Sequence, residues 1–177
     1  MNQSLAPAYL VRSSREDVRS QHRHSSQSLA QAYQALEGDA PADIPWLVWL
    51  LENPESPLAL GGSISLRNHD YLHILLSRGF TPADEAFVIG MTMGNDPQTR
   101  SWHYLIFKFA ARFLYPNPYR FSRQHLDIFE QGVQFGQSLP VKNLNRFDFS
   151  LVERSPVPLL RQVFMTPGSE VPGIPAN

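Results

Sequence analysis

The sequence predicts an all-α fold, on three observations. Apolar residues recur at the three- and four-residue spacing of helices, as at Leu126, Phe129 and Val133. Helix start and stop residues bracket such segments, with Thr81-Pro82 as a start and Gly79 as a stop. The alternation of apolar and polar residues that is typical of strands is scarce. We therefore expect a single-domain helical bundle.

Seven helices are predicted, separated by loops rich in Pro and Gly. Their expected ranges are 26–36, 44–52, 66–78, 81–94, 101–114, 122–137 and 156–163. Ser65 is the expected cap at the start of the third helix. Gly79, followed by the apolar Phe80, has the residue order of a helix end and predicts where that helix stops.

Composition limits the classes of function. The net charge of −1 and the charged fraction of 18% argue against a nucleic-acid partner, which favours a basic surface. The absence of cysteine excludes disulfides, thiolate zinc ligands and cysteine nucleophiles, so any metal must be held by His, Asp and Glu. No apolar run reaches the ~18–20 residues that span a bilayer. The N-terminus also lacks the apolar segment of a secretory signal.

The ends of the chain differ in composition from its middle. The first residues are rich in Ser, Gln and Arg, and the last residues are rich in Pro and Gly. We therefore divide the chain into a flexible N-terminal arm at 1–25, an all-α domain at 26–165 and a flexible C-terminal tail at 166–177.

Four side chains of metal-binding type fall close together in the sequence: His69, Asp70, His73 and Glu85. His69 and His73 are one helical turn apart and share a face, while Asp70 lies about 100° around the helix from His69. Glu85 lies on the next helix, on a face that it shares with apolar residues. A carboxylate buried on such a face is costly unless it has a partner. The pattern therefore predicts two imidazoles and up to two carboxylates around one point.

The spacing also predicts a helical hairpin. His73 and Glu85 are each about six residues from the turn at 79–80, or roughly 9 Å along a helix that rises about 1.5 Å per residue. In an antiparallel hairpin the two side chains would face each other at the same height. The alternative interpretation of the same residues is a solvated polar face or a hydrogen-bonded core pair without metal.

The mixed nitrogen and oxygen ligands suit zinc, manganese, iron or cobalt better than calcium. Two imidazoles and one or two carboxylates also leave positions open for water or substrate. A second notable segment, at 101–114, combines aromatic residues with Lys108 and Arg112. It predicts an interfacial helix or the wall of a pocket for an apolar ligand with an anionic end, with an ordinary core as the alternative.

The string His69-Asp70-Tyr71-Leu72-His73, followed after eleven residues by Glu85, resembles the HDxxH-x11-E motif of the coenzyme Q biosynthesis protein 4 family. The resemblance covers residues 69–85. It implies an all-α fold and a divalent cation held by His69, Asp70, His73 and Glu85, with zinc expected first and Mn, Fe, Co or Mg as alternatives.

The resemblance also implies a role in ubiquinone-type quinone biosynthesis. The expected ligand is a polyprenylated quinone precursor, and the expected partners are a membrane surface, a second copy of the chain and other quinone-biosynthesis proteins. The implied reaction replaces the carboxyl group of the aromatic ring by a hydroxyl. The implied location is cytoplasmic or peripheral to a membrane, the mitochondrial inner membrane in a eukaryote. A non-enzymatic lipid-binding scaffold with a structural metal and a metal-dependent phosphohydrolase remain as alternatives.

Overall fold

The computed structural model describes residues 27–36, 60–116 and 120–167, and within these ranges the predicted all-α fold is confirmed. In chain order the helices are α1 (Leu29–Gln34), α2 (Leu66–Leu76), α3 (Pro82–Asn95), α4 (Ser101–Phe109), α5 (Arg123–Ser138) and α6 (Val157–Phe164). A π-helical turn at Ala110–Leu114 continues α4, and two 3-10 turns occupy Leu144–Arg146 and Phe149–Leu151. The predicted helix at 44–52, the arm at 1–25 and residues 168–177 of the tail lie outside the described residues.

The predicted helix starts on either side of the hairpin are confirmed. The Ser65 hydroxyl accepts a hydrogen bond from the backbone N–H of Asn68 at the start of α2 (3.4 Å). The Thr81 hydroxyl accepts one from the backbone N–H of Asp84 at the start of α3 (3.2 Å), and Pro82 occupies the first turn. These side chains satisfy backbone donors that have no partner within the helix.

The predicted end of α2 at Gly79 is wrong, because the helix ends at Leu76. Ser77 adopts the left-handed conformation (φ 54°) that ends the helix, and the backbone N–H of Arg78 donates to the carbonyl of His73 (3.0 Å). The last carbonyls of the helix have a partner far along the chain. Arg161 of α6 donates to the carbonyls of Ile74 (2.7 Å) and Leu75 (3.1 Å) and so satisfies acceptors at the end of the helix.

The predicted helix at 101–114 is α-helical only to Phe109 and then widens into the π turn. The backbone N–H of Tyr115 donates to the carbonyl of Ala110 (2.9 Å), five residues back. The next carbonyl, that of Ala111, accepts instead from the backbone N–H of Phe121 (2.9 Å). A chain segment that returns to the helix has therefore taken over one of its backbone acceptors.

Helices α3 and α5 cross with their backbones in contact through glycines. A Cβ atom at Gly90 of α3 would lie 2.2 Å from the carbonyl oxygen of Phe129, and one at Gly136 of α5 would lie 2.1 Å from that of Met91. Gly94 and Gly132 are equally confined. No side chain fits at such distances, so these glycines allow the two helices to approach closely.

Helix α3 lies between two parts of the core. Val88 and Met91 pack with buried residues of α1, α2 and α6, whereas Ala86 and Met93 pack with those of α4 and α5. Because α3 is held on both sides, the residues of its first turn have a fixed position relative to α2.

Candidate metal centre

Three of the four predicted ligands come together between α2 and α3. The Nε2 atom of His69 lies 3.2 Å from Oε2 of Glu85, and the Nε2 atom of His73 lies 3.3 Å from Oε1 of Glu85. The two Nε2 atoms are 3.4 Å apart. The sequence thus predicted correctly that Glu85 faces the histidines across the hairpin.

The three side chains of this group are close enough together that they could hold a metal ion. Zinc with ligand distances of about 2.0–2.1 Å would hold neighbouring ligand atoms about 3.3–3.4 Å apart. The 3.4 Å between the two Nε2 atoms agrees with this spacing, whereas the contacts of His69 (3.2 Å) and His73 (3.3 Å) with Glu85 go to different carboxylate oxygens and have the length of hydrogen bonds. Among the described residues these three form the one group whose ligand atoms all lie within 4.8 Å of one another. Two imidazole nitrogens and a carboxylate are thus a donor set that could hold a divalent cation.

Asp70 lies outside this group of three. Its side chain is buried on α2, one residue beyond His69 and therefore about 100° around the helix from it. Its part as a fourth ligand stays a prediction from the motif. If His69, His73 and Glu85 hold a cation, a further position would be left for water, for Asp70 or for a bound molecule.

The group is partly open to solvent. The His73 side chain is fully buried, whereas those of His69 and Glu85 are 15% and 27% exposed. A cation held here would therefore be reached from the side of His69 and Glu85. A ligand could therefore reach the site from the side of His69 and Glu85. The side of His73 is filled by packed protein.

Glu85 is held in its charged form. Burial alone would raise the pKa of this carboxyl, but hydrogen bonds and charge from His69 and His73 outweigh burial and lower the pKa from 4.5 to about 2. Its place in the first turn of α3 adds the favourable field of a helix N-terminus. A carboxylate that stays ionised is ready to bind a cation, because a proton does not compete for it near neutral pH.

Neighbouring contacts fix the two helix ends that carry the ligands. The Thr81 hydroxyl donates to the Asp84 carboxylate (2.7 Å), which also lies 3.5 Å from the Arg78 guanidinium. That guanidinium sits 4.1 Å from the ring centre of Phe87. These contacts hold the turn between α2 and α3 together. They thereby position the first turn of α3, which carries Glu85.

Phe80 and Arg161 support His73, and the sequence did not predict either role. The Phe80 ring stacks on the His73 imidazole, with ring centres 4.7 Å apart and planes 30° from parallel. The Arg161 guanidinium binds the two carbonyls that follow His73 in α2. Nδ1 of His73 is buried without a hydrogen-bond partner in the described structure. A metal-binding histidine usually donates a hydrogen bond from its other ring nitrogen. The His73 imidazole is oriented by packing instead.

The other two histidines of the described domain are helix caps. Nδ1 of His103 accepts from the backbone N–H of Arg100 (3.0 Å), and Nδ1 of His125 accepts from that of Ser122 (3.2 Å). Each therefore satisfies a backbone donor at a helix start, and neither belongs to the three-residue group.

Comparisons with protein-family models, curated proteins and solved structures find no match to this chain. We therefore infer the chemistry of the site from its own residues. Two imidazole nitrogens and a carboxylate can hold a divalent cation and leave it able to bind the anionic group of a further ligand.

The pKa of Glu85 gives a testable pH dependence for the metal-free protein. A carboxyl whose pKa is lower in the folded than in the unfolded state stabilises the fold above pH 4.5 and loses this contribution as the pH falls through about 2. At about 1.36 kcal/mol per pKa unit, the loss is on the order of 3 kcal/mol.

Urea unfolding at about pH 5.5 and about pH 2 measures this loss. Because Glu85→Gln has no carboxyl to titrate there, the wild type should lose more free energy of unfolding than the variant over this interval. An equal loss in both proteins would show that Glu85 is not held in its charged form by the two histidines.

Proposed function

We propose that this chain is a metal-binding protein of quinone biosynthesis, similar to the coenzyme Q biosynthesis protein 4 family. Zinc is the cation proposed first, with Mn, Fe, Co or Mg as alternatives. The protein ligands are His69, His73 and Glu85, and Asp70 stays the proposed fourth. The ligand is a prenylated aromatic acid, and the possible reaction replaces its carboxyl group by a hydroxyl.

The observation that supports this proposal is the convergence of His69, His73 and Glu85 from two helices at 3.2–3.4 Å. A bound cation would supply Lewis acidity toward the carboxylate or phenolate of a head group. The protein's own contribution is to hold the three ligand atoms at fixed separations and to keep Glu85 ionised. The partial exposure of His69 and Glu85 gives the head group access from one side.

Metal analysis and native mass spectrometry of the purified protein test the proposal first. We expect one divalent cation per chain, and the same spectrum reports co-purified lipid and the expected homodimer. The next step is titration of the zinc-loaded protein with a prenylated aromatic acid. The matched controls are the same acid without the prenyl chain and the zinc-loaded protein after treatment with a chelator.

We expect the prenylated acid to bind the zinc-loaded protein at least about tenfold more tightly than the chelated protein, a difference of about 1.4 kcal/mol. Binding that is indifferent to the metal would contradict a head-group role and favour the lipid-binding scaffold with a structural metal. Formation of the phenol with release of carbon dioxide, while dioxygen and water are consumed and hydrogen peroxide is formed, would establish the reaction. Binding without release would leave the protein a carrier.

A further inference from the structure

Several large apolar side chains are exposed in the described part of the chain, where no helix is both long and apolar enough to cross a membrane. Most of them lie on α4 and its π turn, but Phe80 lies at the candidate metal centre. One face of the Phe80 ring stacks on the imidazole of His73, and the residue is still 42% exposed. An aromatic surface therefore remains open to solvent beside the group of His69, His73 and Glu85.

The start of α3 brings Phe80 close to Glu85 as well as to His73. Thr81 is the cap of α3, so Phe80 directly precedes the cap and Glu85 is the fourth residue of the helix. Side chains at these two positions are neighbours at a helix start, where an apolar pair often packs together. Here the second position holds a carboxylate, and Phe80 packs on His73 instead. We therefore expect the exposed part of the Phe80 ring beside Glu85, on the side from which a ligand could reach the site.

The backbone on both sides of Phe80 is held in place. Before Phe80, the backbone N–H of Arg78 donates to the carbonyl of His73 (3.0 Å). After it, the Thr81 hydroxyl accepts from the backbone N–H of Asp84 (3.2 Å) and donates to the Asp84 carboxylate (2.7 Å). A ring that is already held in this way can contact a ligand with little further loss of conformational freedom.

We propose that Phe80 is a specificity-determining residue of the metal centre and selects an aromatic acid over a non-aromatic acid of similar size. This rests on the proposed function, in which the site binds the carboxylate of a head group. With that carboxylate held among His69, His73 and Glu85, the ring that carries it lies within reach of the exposed part of Phe80. Two aromatic rings in contact attract each other beyond the effect of their buried area, by about two- to tenfold in affinity. A saturated ring lacks this attraction.

Titration of the zinc-loaded protein with two small acids tests this role. Benzoate and cyclohexanecarboxylate carry the same carboxylate on a six-carbon ring, and only benzoate is aromatic. The measured quantity is the ratio of their dissociation constants, with the zinc content of each protein checked by metal analysis. Phe80→Leu removes the aromatic ring and Phe80→Tyr keeps it. Phe109→Leu is the matched control, because it makes the same change at an aromatic residue of α4 that is 57% exposed.

We expect the wild type, Phe80→Tyr and Phe109→Leu to bind benzoate at least about threefold more tightly than cyclohexanecarboxylate, and Phe80→Leu to bind the two acids about equally. A purely structural loss at His73 would weaken both acids alike and leave their ratio unchanged. The metal-free protein gives a second readout. Because the Phe80 ring stacks on the His73 imidazole, Phe80→Leu should shift the ring-proton resonances of His73 in NMR spectra.

Two results would overturn this role for Phe80 and leave metal-dependent binding of an acid in place. One is equal binding of the two acids by the wild type, and the other is a preference for benzoate that persists in Phe80→Leu. Unchanged His73 resonances in Phe80→Leu would also count against it, because the stacked ring would then be absent. Failure of the proposed function looks different, since the zinc-loaded protein would then bind neither acid, and the specificity would fail with it.

Discussion

Replacing Glu85 with Gln is expected to lower the affinity of the protein for Zn²⁺ at least about 100-fold, because losing even an outer hydrogen bond to a metal ligand costs about 10–100-fold. The substitution keeps the size of the side chain and removes its charge. The two imidazoles would remain, but without the carboxylate that faces both of them at 3.2–3.3 Å.

Competition titration with a zinc chelator measures this change. Glu130→Gln is the matched control, since it removes a carboxylate from the surface of α5, where Glu130 pairs with Lys108. A second readout is stability. Zinc at about 100 times its dissociation constant should raise the free energy of unfolding of the wild type by about 2.7 kcal/mol, and the Glu85 variant should gain much less. Equal zinc affinity in both variants would mean that Glu85 is not a ligand.

Asp70→Asn separates the four-ligand interpretation from the three-ligand one. A loss of zinc affinity as large as that of Glu85→Gln would place Asp70 among the ligands, as the motif implies. A much smaller loss would agree with the arrangement of atoms described above, in which Asp70 lies outside the group formed by His69, His73 and Glu85.

Replacing Gly136 with Ala is expected to destabilise the protein by about 3 kcal/mol or more, at the upper end of the usual cost of overfilling a core. The new Cβ would lie 2.1 Å from the Met91 carbonyl oxygen and 2.9 Å from the Asn95 backbone nitrogen, and both belong to the backbone of α3. An alanine gains about 1 kcal/mol over glycine in a helix, which does not offset such a contact.

Urea unfolding followed by circular dichroism measures this loss, with Gly79→Ala as the control. A Cβ at Gly79 meets its nearest atom, Oδ2 of Asp84, at 3.3 Å, so that variant should stay within about 1 kcal/mol of the wild type. Gly136→Ala should also weaken zinc binding, because α3 carries Glu85 and would have to shift. A variant as stable as the wild type would contradict the close crossing of α3 and α5.

Local signals explain why much of the hairpin could be predicted. Thr81 and Pro82 define the start of α3 within a few residues, and the turn between the helices is short. His73 and Glu85 are the same number of residues from that turn. In an antiparallel hairpin this alone predicts that they lie opposite each other. The orientation of Asp70 could not be found in this way, because it depends on how far α2 is rotated about its axis by packing.

Long-range contacts explain the remaining differences. The carbonyls at the end of α2 are bound by Arg161, which comes 86–87 residues after them. The four-residue spacing of Gly90 and Gly94 is visible in the sequence, as is that of Gly132 and Gly136, but the spacing does not say which helices meet. The π turn likewise depends on the return of Phe121 to the carbonyl of Ala111.

The most direct test of the metal centre is a crystal structure of the zinc-loaded protein with anomalous diffraction measured at the zinc edge. We predict one strong anomalous peak about 2.0–2.2 Å from Nε2 of His69, Nε2 of His73 and a carboxylate oxygen of Glu85. The same map would show whether Asp70, water or another molecule takes the remaining position. A fully zinc-loaded crystal with no peak among these three side chains would contradict the metal centre.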